Sequence, residues 1–486
     1  MTALMFQGTG SDVGKSVLVA GLARAFVRRG LSVHPFKPQN MSNNAAVTLD
    51  GGEIGRAQWL QAIAAGVEPS IHMNPVLLKP QSDVGAQVVL HGKVIGTAQA
   101  ADYQRRKQHL LSGVLSSFDV LRAQADLVLV EGAGSPAETN LRAGDIANMG
   151  FATATDTPVV LIGDIDRGGV IASLVGTHEV LSHTDRALIK GFLINKFRGD
   201  VTLFDEGLTE IETRTGWAGL GVLGWLPAMR DLPAEDGVVL ERAATGNGAA
   251  LTIDIPMLSR IANFDEFDPL AREGSVDLRF VPPGEAIRGT ADLIILPGTK
   301  STLADYQFLC AQGWDIDLRA HLRRGGSVLG ICGGFQMLGN HITDPEGLEG
   351  TAGTVVGLGL LDMETRLKPQ KEVRRVRGTL HGSPVPFEGY EIHNGVSQGP
   401  ALTRPWLMKE GQQPHGACAL EGNVMGAYVH GLFESGAFRT AFLERFKVSS
   451  TDPRDHIVRV EKALDDIAIA MEKDLNLDAM LKMSGA

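Results

Sequence analysis

Two short stretches carry side chains whose types and spacing could do chemistry. The first is Gly330–Gly334, Gly-Ile-Cys-Gly-Gly, set between an apolar run and a helical pattern. Strand, Gly-x-Cys-Gly-Gly, helix is a nucleophile elbow with cysteine in the serine position. Small neighbours permit the strained turn, and a helix N-terminus beside the sulfur favours the thiolate. His430, which ends the apolar run "GAYVH" 98 residues later, is the candidate base; Cys310 and Cys418 lack the elbow and read as inert. The second stretch is "GTGSDVGKS", Gly8–Ser16, again between a strand and a helix. Its backbone N–H groups and the helix N-terminus make an anion cradle. Lys15 offers a point charge to the β/γ-phosphates of ATP, and Ser16 a hydroxyl for Mg²⁺. Gly8 and Gly14 frame the loop, and Thr9 stands where a common P-loop has its first glycine. Glu131, at the end of "VLVE", is a second candidate for Mg²⁺; Asn195, in "NKF", is a candidate for the adenine edge or a plain turn residue.

The elements that must position these residues are legible as apolar runs. "TALMF", "DLVLVEGAG", "TPVVLIGDI", "IKGFLINK" and "GLGVLGWLP" read as buried strands of a parallel sheet covered on both faces. After a linker at 241–250, a second α/β series follows: "LTIDIPML", "VDLRFV", "ADLIILPG", "GSVLGICGG" and "VMGAYVHGLF". The expected division is 1–240, 251–446 and a C-terminal helical tail over 447–486, where Leu464, Ile467, Met471 and Leu475 share one face of a helix from Val458 to Met480. A chain of 486 residues is long enough for two or three cores. Its net charge of −11, with no basic block, argues against a nucleic-acid partner. Three scattered cysteines fit a reducing, cytoplasmic compartment, and no apolar run is long enough to span a membrane.

The first half resembles the dethiobiotin-synthetase-like branch of P-loop enzymes, which commonly phosphorylate a carboxylate or carbamate. The second resembles the triad (class I-like) glutamine amidotransferases, in which cysteine precedes histidine in the chain. That resemblance implies glutamine as nitrogen donor, and an oxyanion hole from the N–H groups of Gly333 and of Gly298 in "LPGTKST". The family usually reads His-x-Glu, but here Glu434 lies four residues beyond His430, so Glu434 is not expected to orient the imidazole and its carboxylate partner is open. His393 in "GYEIHNG" lies near the site by resemblance and reads better as a structural histidine.

Together the two halves describe an amide ligase: one frees ammonia, the other activates a carboxylate. "KPQNMSNNAAVT", "EIGRAQWLQA", "NPVLLKPQSD", "EGAGSPAETNLRAGDIANM", "DIDRGGV" and "IPMLSRIANFDEFDPL" closely resemble the cobyric acid synthase family of corrinoid amidotransferases. The resemblance implies amidation of the b, d, e and g carboxylates of adenosylcobyrinic acid a,c-diamide, with ATP, Mg²⁺ and glutamine. It also implies substrate contacts from Lys37, Gln39, Asn40, Asn43, Asn44 and Asp145. Cobalt would arrive with the substrate. The alternatives are a cobyrinic acid a,c-diamide synthase, another glutamine-dependent carboxylate amidase, or a nucleotide-switch ATPase; the last has no use for the cysteine elbow.

Overall fold

The computed structural model describes residues 2–81, 85–233 and 249–486. The linker expected at 241–250 lies outside the described residues, apart from Ala249 and Ala250.

The first sheet has six parallel strands, in the order Ala218–Gly224, Ile189–Phe197, Val159–Asp164, Thr2–Gly8, Leu127–Glu131, Val33–Phe36. Five coincide with the apolar runs. Thr2–Gly8 runs between Val159–Asp164 and Leu127–Glu131, so the phosphate loop emerges from the sheet centre with Glu131 paired opposite Phe6. Ligand sites of open α/β sheets lie at the carboxyl ends of such strands. Val33–Phe36 was hidden by Pro35. It is an edge strand, and an edge tolerates a residue with no N–H to donate. A four-stranded sheet built from Gln39–Met41, Val76–Pro80, Gly85–Leu90 and Lys93–Gln99 is inserted between strands of the first.

The second sheet has the order Val276–Val281, Leu251–Pro256, Leu293–Leu296, Ser327–Ile331, Val424–Ala427, all parallel, with Ala417–Cys418 antiparallel at one edge. After Ser327–Ile331 the chain leaves it to build a long antiparallel hairpin, Glu364–Leu380 with Pro386–Gln398, and returns as Val424–Ala427 beside the strand it left. Cys332 directly follows one strand and His430 lies just past its neighbour. The excursion accounts for their separation in sequence.

The C-terminal tail returns to the first sheet. Val460, Leu464, Ile467 and Met471 of helix His456–Asp474 share a buried cluster with Leu18, Leu22 and Phe26 of helix Lys15–Arg28, which begins at the phosphate loop. The helices cross closely at Gly21, where a Cβ would stand 2.6 Å from Ile467 Cγ2 and from Met471 Cε. Arg29 pairs with Glu472 at 2.6 Å and Asp478 at 2.7 Å on the rim. The single helix expected from Val458 to Met480 is two, His456–Asp474 and Leu477–Ser484. Leu475 leaves the helix to form a bridge with Gly221, the N–H of Asn476 donates to Leu220 O at 2.8 Å, and its side chain caps the next helix at Ala479. Pairing with the sheet edge outweighs one helical turn. Among the described residues no helix is long and apolar enough to cross a membrane.

Ile467→Ala empties a fully buried site between the tail and the phosphate-loop helix. It is expected to cost about 2–4 kcal/mol, read as a lower urea midpoint for the transition of the first domain and as earlier proteolytic release of the tail. An unchanged midpoint would mean that the first domain does not lean on the tail.

Candidate active site

Cys332 adopts φ 51°, ψ −108°, a conformation that non-glycine residues reach only when the surroundings force it. The neighbouring glycines make that possible. A Cβ on Gly330 would stand 2.7 Å from Gly334 O, and one on Gly334 2.1 Å from Leu296 O. The elbow sets the sulfur at the start of helix Gly333–Met337, facing a narrow cavity of about 40 Å³ that His430, Thr299, Lys300 and His393 also line. Gly298 presses against the imidazole, where a Cβ would lie 2.9 Å from His430 Cε1. On Gly333 a Cβ would lie 2.6 Å from Thr299 Cγ2. Of the two glycines expected at an oxyanion hole, Gly333 lines the cavity and Gly298 brings bare backbone up to the imidazole.

His430 is buried, and its carboxylate partner is Glu266. Glu266 Oε1 lies 2.9 Å from His430 Nδ1, and Oε2 accepts the Gly431 N–H at 3.1 Å. Tyr390 stacks on the ring at 5.3 Å, and Asn263 Nδ2 approaches Nε2 at 3.5 Å. Burial works against a charged ring, but Glu266 and the Cys332 sulfur outweigh it and raise the His430 pKa to about 10. A ring held positive beside the sulfur favours the nucleophilic form of the thiol. Glu434 accepts a hydrogen bond from Arg56 at 2.6 Å instead, and Arg56 also pairs with Asp265 at 2.6 Å. The turn at Gly431, in the left-handed region at φ 78°, directs residues 432–434 away from the imidazole. The sequence offered no spacing rule that finds Glu266, 164 residues before His430. Its one signal is three carboxylates, Asp265, Glu266 and Asp268, in a Phe-rich segment, since buried carboxylates require partners.

His393 lines the cavity, but its Nδ1–H donates to Gly395 O of its own turn (2.9 Å) and the ring stacks on Tyr428 at 3.9 Å. Burial lowers its pKa to about 4, so it is neutral, as a structural histidine should be. Cys310 and Cys418 are partly buried free thiols whose pKa burial raises.

At the first sheet, Lys15 Nζ lies over the loop, donating to Gly10 O at 3.0 Å and Gly134 O at 3.2 Å. Gly8 has no room for a side chain, since a Cβ would meet Val13, Gly10 O and Lys15 Nζ within 2.9 Å. Thr9 ties the loop to Ile162 O through N–H at 3.0 Å. Glu131 is fully buried and collects Ser16 Oγ and Lys37 Nζ at 2.8 Å on one oxygen and Gln61 Nε2 at 2.6 Å on the other. A hydroxyl and a carboxylate side by side at a phosphate loop are an all-oxygen donor set, which fits Mg²⁺. Asn195 lies beneath the loop. Its Nδ2 donates to Val13 O at 2.8 Å and packs under Gly14, while Oδ1 is buried with no hydrogen bond among the described residues.

A cleft of about 850 Å³ opens over this loop, lined by Lys15, Ser16, Lys37, Gln39, Asn40 and Asp145. Asp145 is also structural: its carboxylate accepts the N–H groups of Ala147, Asn148 and Gly150. Two residues expected at the substrate are elsewhere. Asn43 lines the cysteine cavity, and Asn44 accepts the Asn263 N–H at 2.6 Å across the domain seam. The strand Gln39–Met41 points the chain out of the cleft, so the polar residues after it fall on the other domain.

Glu266→Gln removes the charge that holds the His430 proton. The rate of Cys332 alkylation by iodoacetamide at pH 6 is expected to fall by about tenfold or more, whereas Glu434→Gln leaves it within about threefold. Equal losses would return Glu434 to the imidazole.

Residues 4–239 match the family model of the CobQ/CobB/MinD/ParA nucleotide binding domain, and residues 252–438 that of the CobB/CobQ-like glutamine amidotransferase domain. The chain is 60% identical over 486 residues to a protein named cobyric acid synthase from Caulobacter sp. (strain K31), covering 100% of both. It is 59% identical over 481 residues to one of the same name from Brucella anthropi, covering 99% of each. The chain belongs to the cobyric acid synthase family.

Proposed function

We propose that this enzyme amidates the b, d, e and g side-chain carboxylates of adenosylcobyrinic acid a,c-diamide, using glutamine as nitrogen donor and ATP to activate each carboxylate. The observation that carries the reading is the course of residues 37–43. Lys37 opens onto the phosphate cleft and Asn43, six residues on, onto the cysteine cavity. One short segment joins a nitrogen-releasing site to a phosphate site, which suits an amide ligase and suits a nucleotide switch poorly.

In the cysteine cavity, Cys332 Sγ attacks the carboxamide carbon of glutamine. His430 passes its proton to the departing nitrogen, the C–N bond breaks and ammonia leaves. The Gly333 and Gly298 N–H groups face the oxyanion, and Glu266 keeps the imidazole in its working tautomer. Water then cleaves the thioester, releasing glutamate and restoring the thiol.

In the cleft, Lys15 and the loop N–H groups hold the β/γ-phosphates while the γ-phosphoryl group passes to a substrate carboxylate oxygen, leaving ADP. Ammonia attacks the acyl carbon, the carboxamide forms and phosphate departs. Ser16 and Glu131 are the residues that would hold Mg²⁺, which supplies charge neutralisation at the phosphates when bound. Lys37, Gln39 and Asn40 present donors to a substrate edged with carboxylates and amides. The cleft volume of about 850 Å³ is of cofactor size, whereas the cysteine cavity accepts only a small amide.

Mass spectrometry of the corrinoid after incubation with ATP, Mg²⁺ and glutamine is expected to show four successive replacements of hydroxyl by amino. Cys332→Ala should lose glutamine-driven amidation by about 10³-fold or more and keep the ammonium-driven reaction. Lys15→Ala should fail with either nitrogen source. Normal amidation by Lys15→Ala would remove this loop as the ATP site, and loss of ammonium use by Cys332→Ala would break the two-site scheme.

A further inference from the structure

The cysteine cavity holds more charge than thioester chemistry needs. Lys79, Lys300, Lys371 and Glu349 line it, and Glu53 lies fully buried behind. Two of the lysines are accounted for. Lys79 Nζ lies 2.9 Å from Glu53 Oε2 and Lys371 Nζ 2.5 Å from Oε1. Burial opposes the Glu53 charge, but the two ammonium groups hold its pKa at about 2. This triad joins the domains, because Glu53 and Lys79 come from the first and Lys371 from the hairpin of the second.

Lys300 is different. It is 7% exposed, it lines the cavity, and among the described residues its ammonium has no hydrogen-bond or ion-pair partner. Burial lowers its pKa, and the Glu349 charge is the largest influence in the other direction. Glu349 is pinned. Its Oε2 accepts the Thr302 N–H at 2.6 Å, and its own N–H is held by Asp344 at 3.0 Å. Burial raises the Glu349 pKa, with Lys300 opposing. A buried ammonium with no contact partner is costly unless a ligand supplies the counter-charge. Here it lines the same cavity as a nucleophilic sulfur, with a fixed carboxylate on the wall beside them.

Glutamine fits that pattern of charge. Its amide must reach Cys332 Sγ, and its other end is a zwitterion whose two charges sit on one carbon. The geometry points to Lys300 as the residue that binds the α-carboxylate of glutamine, and to Glu349 as the residue that binds its α-ammonium group. This assignment rests on the amidotransferase reading above. It makes the pair a specificity device: a free amino acid satisfies both charges, whereas an amide lacking either group leaves one buried and unpaired. Lys79 and Asn43 complete the wall from the first domain.

The test compares glutamine with two truncated amides, 4-aminobutanamide (no α-carboxylate) and 5-amino-5-oxopentanoate (no α-amino group). Ammonia release is measured, and thermal melting controls for folding. In Lys300→Met, kcat/KM for glutamine is expected to fall by about 10²-fold, mainly through KM, with 4-aminobutanamide unchanged within about threefold. The preference between them therefore collapses. Glu349→Gln should collapse the preference over 5-amino-5-oxopentanoate instead. If Lys300→Met melts early, Lys300→Gln and Lys300→Arg carry the same comparison, with the preference lost in Gln and partly kept in Arg. A preference that survives removal of the Lys300 charge overturns the assignment and leaves the amidotransferase reading intact. A native protein that releases no ammonia from glutamine overturns both.

Discussion

The arrangement of both sites depends on one buried ion pair, Arg56 with Asp265. The guanidinium lies in the seam between the domains, stacked on Trp59 at 3.9 Å, with Asp265 on one side and Glu434 on the other. Burial works against its charge, but the two carboxylates hold it more firmly protonated than a free arginine. Asp265 immediately precedes Glu266, so fixing one carboxylate fixes the other against His430. Arg56 opens helix Arg56–Ala65, and from that helix Gln58 and Gln61 reach Glu131 at the phosphate loop. A rigid element thus has its first residue braced against the support of the imidazole and its middle against the support of the phosphates. Losing one partner of such a pair costs about 3–5 kcal/mol because the other charge stays buried.

The seam therefore belongs to the chemistry. Asn263 is held in the left-handed region at φ 55°, accepts the Ala45 N–H and donates its own N–H to Asn44, while its side-chain nitrogen points toward His430. Residues of the first domain shape the wall of the cysteine cavity, and Asp268 and Arg272 of the second close the rim of the phosphate cleft. Burial and Asp265 raise the Asp268 pKa to about 7, so the second domain meets the cleft with a carboxyl close to half-charged at neutral pH.

Local chemistry was readable from the sequence, and partnership across it was not. The central strands were legible because a strand buried on both faces is apolar throughout, as in Val128–Val130 or Leu293–Leu296. The elbow was legible because Gly330, Gly333 and Gly334 around Cys332 leave no room for side chains, and the phosphate loop because its residues are contiguous. Glu266 was not, since nothing local distinguishes a carboxylate that meets a histidine from one that meets an arginine. The quoted polar segment misled at Asn43 and Asn44 for the same reason. Their types suit a substrate, but the backbone turns them onto the other domain. The tail's apolar stripe announced a helix without naming its partner, whose one clue is the bare surface at Gly21.

That returning tail bears on how the protein is made. The tail residues that cover helix Lys15–Arg28 are synthesised after the whole of the second domain. At ordinary elongation rates on the order of tens of seconds separate the two helices at the ribosome. Through that interval Leu18, Leu22 and Phe26 lack the part of their cluster that Val460, Leu464, Ile467 and Met471 supply. The nucleotide-binding sheet is therefore completed after the domain that follows it, reversing the usual N-to-C order of domain maturation. It also sets a rule for gene architecture: dividing this enzyme into two polypeptides between its sheets would strand the cover of the first on the second.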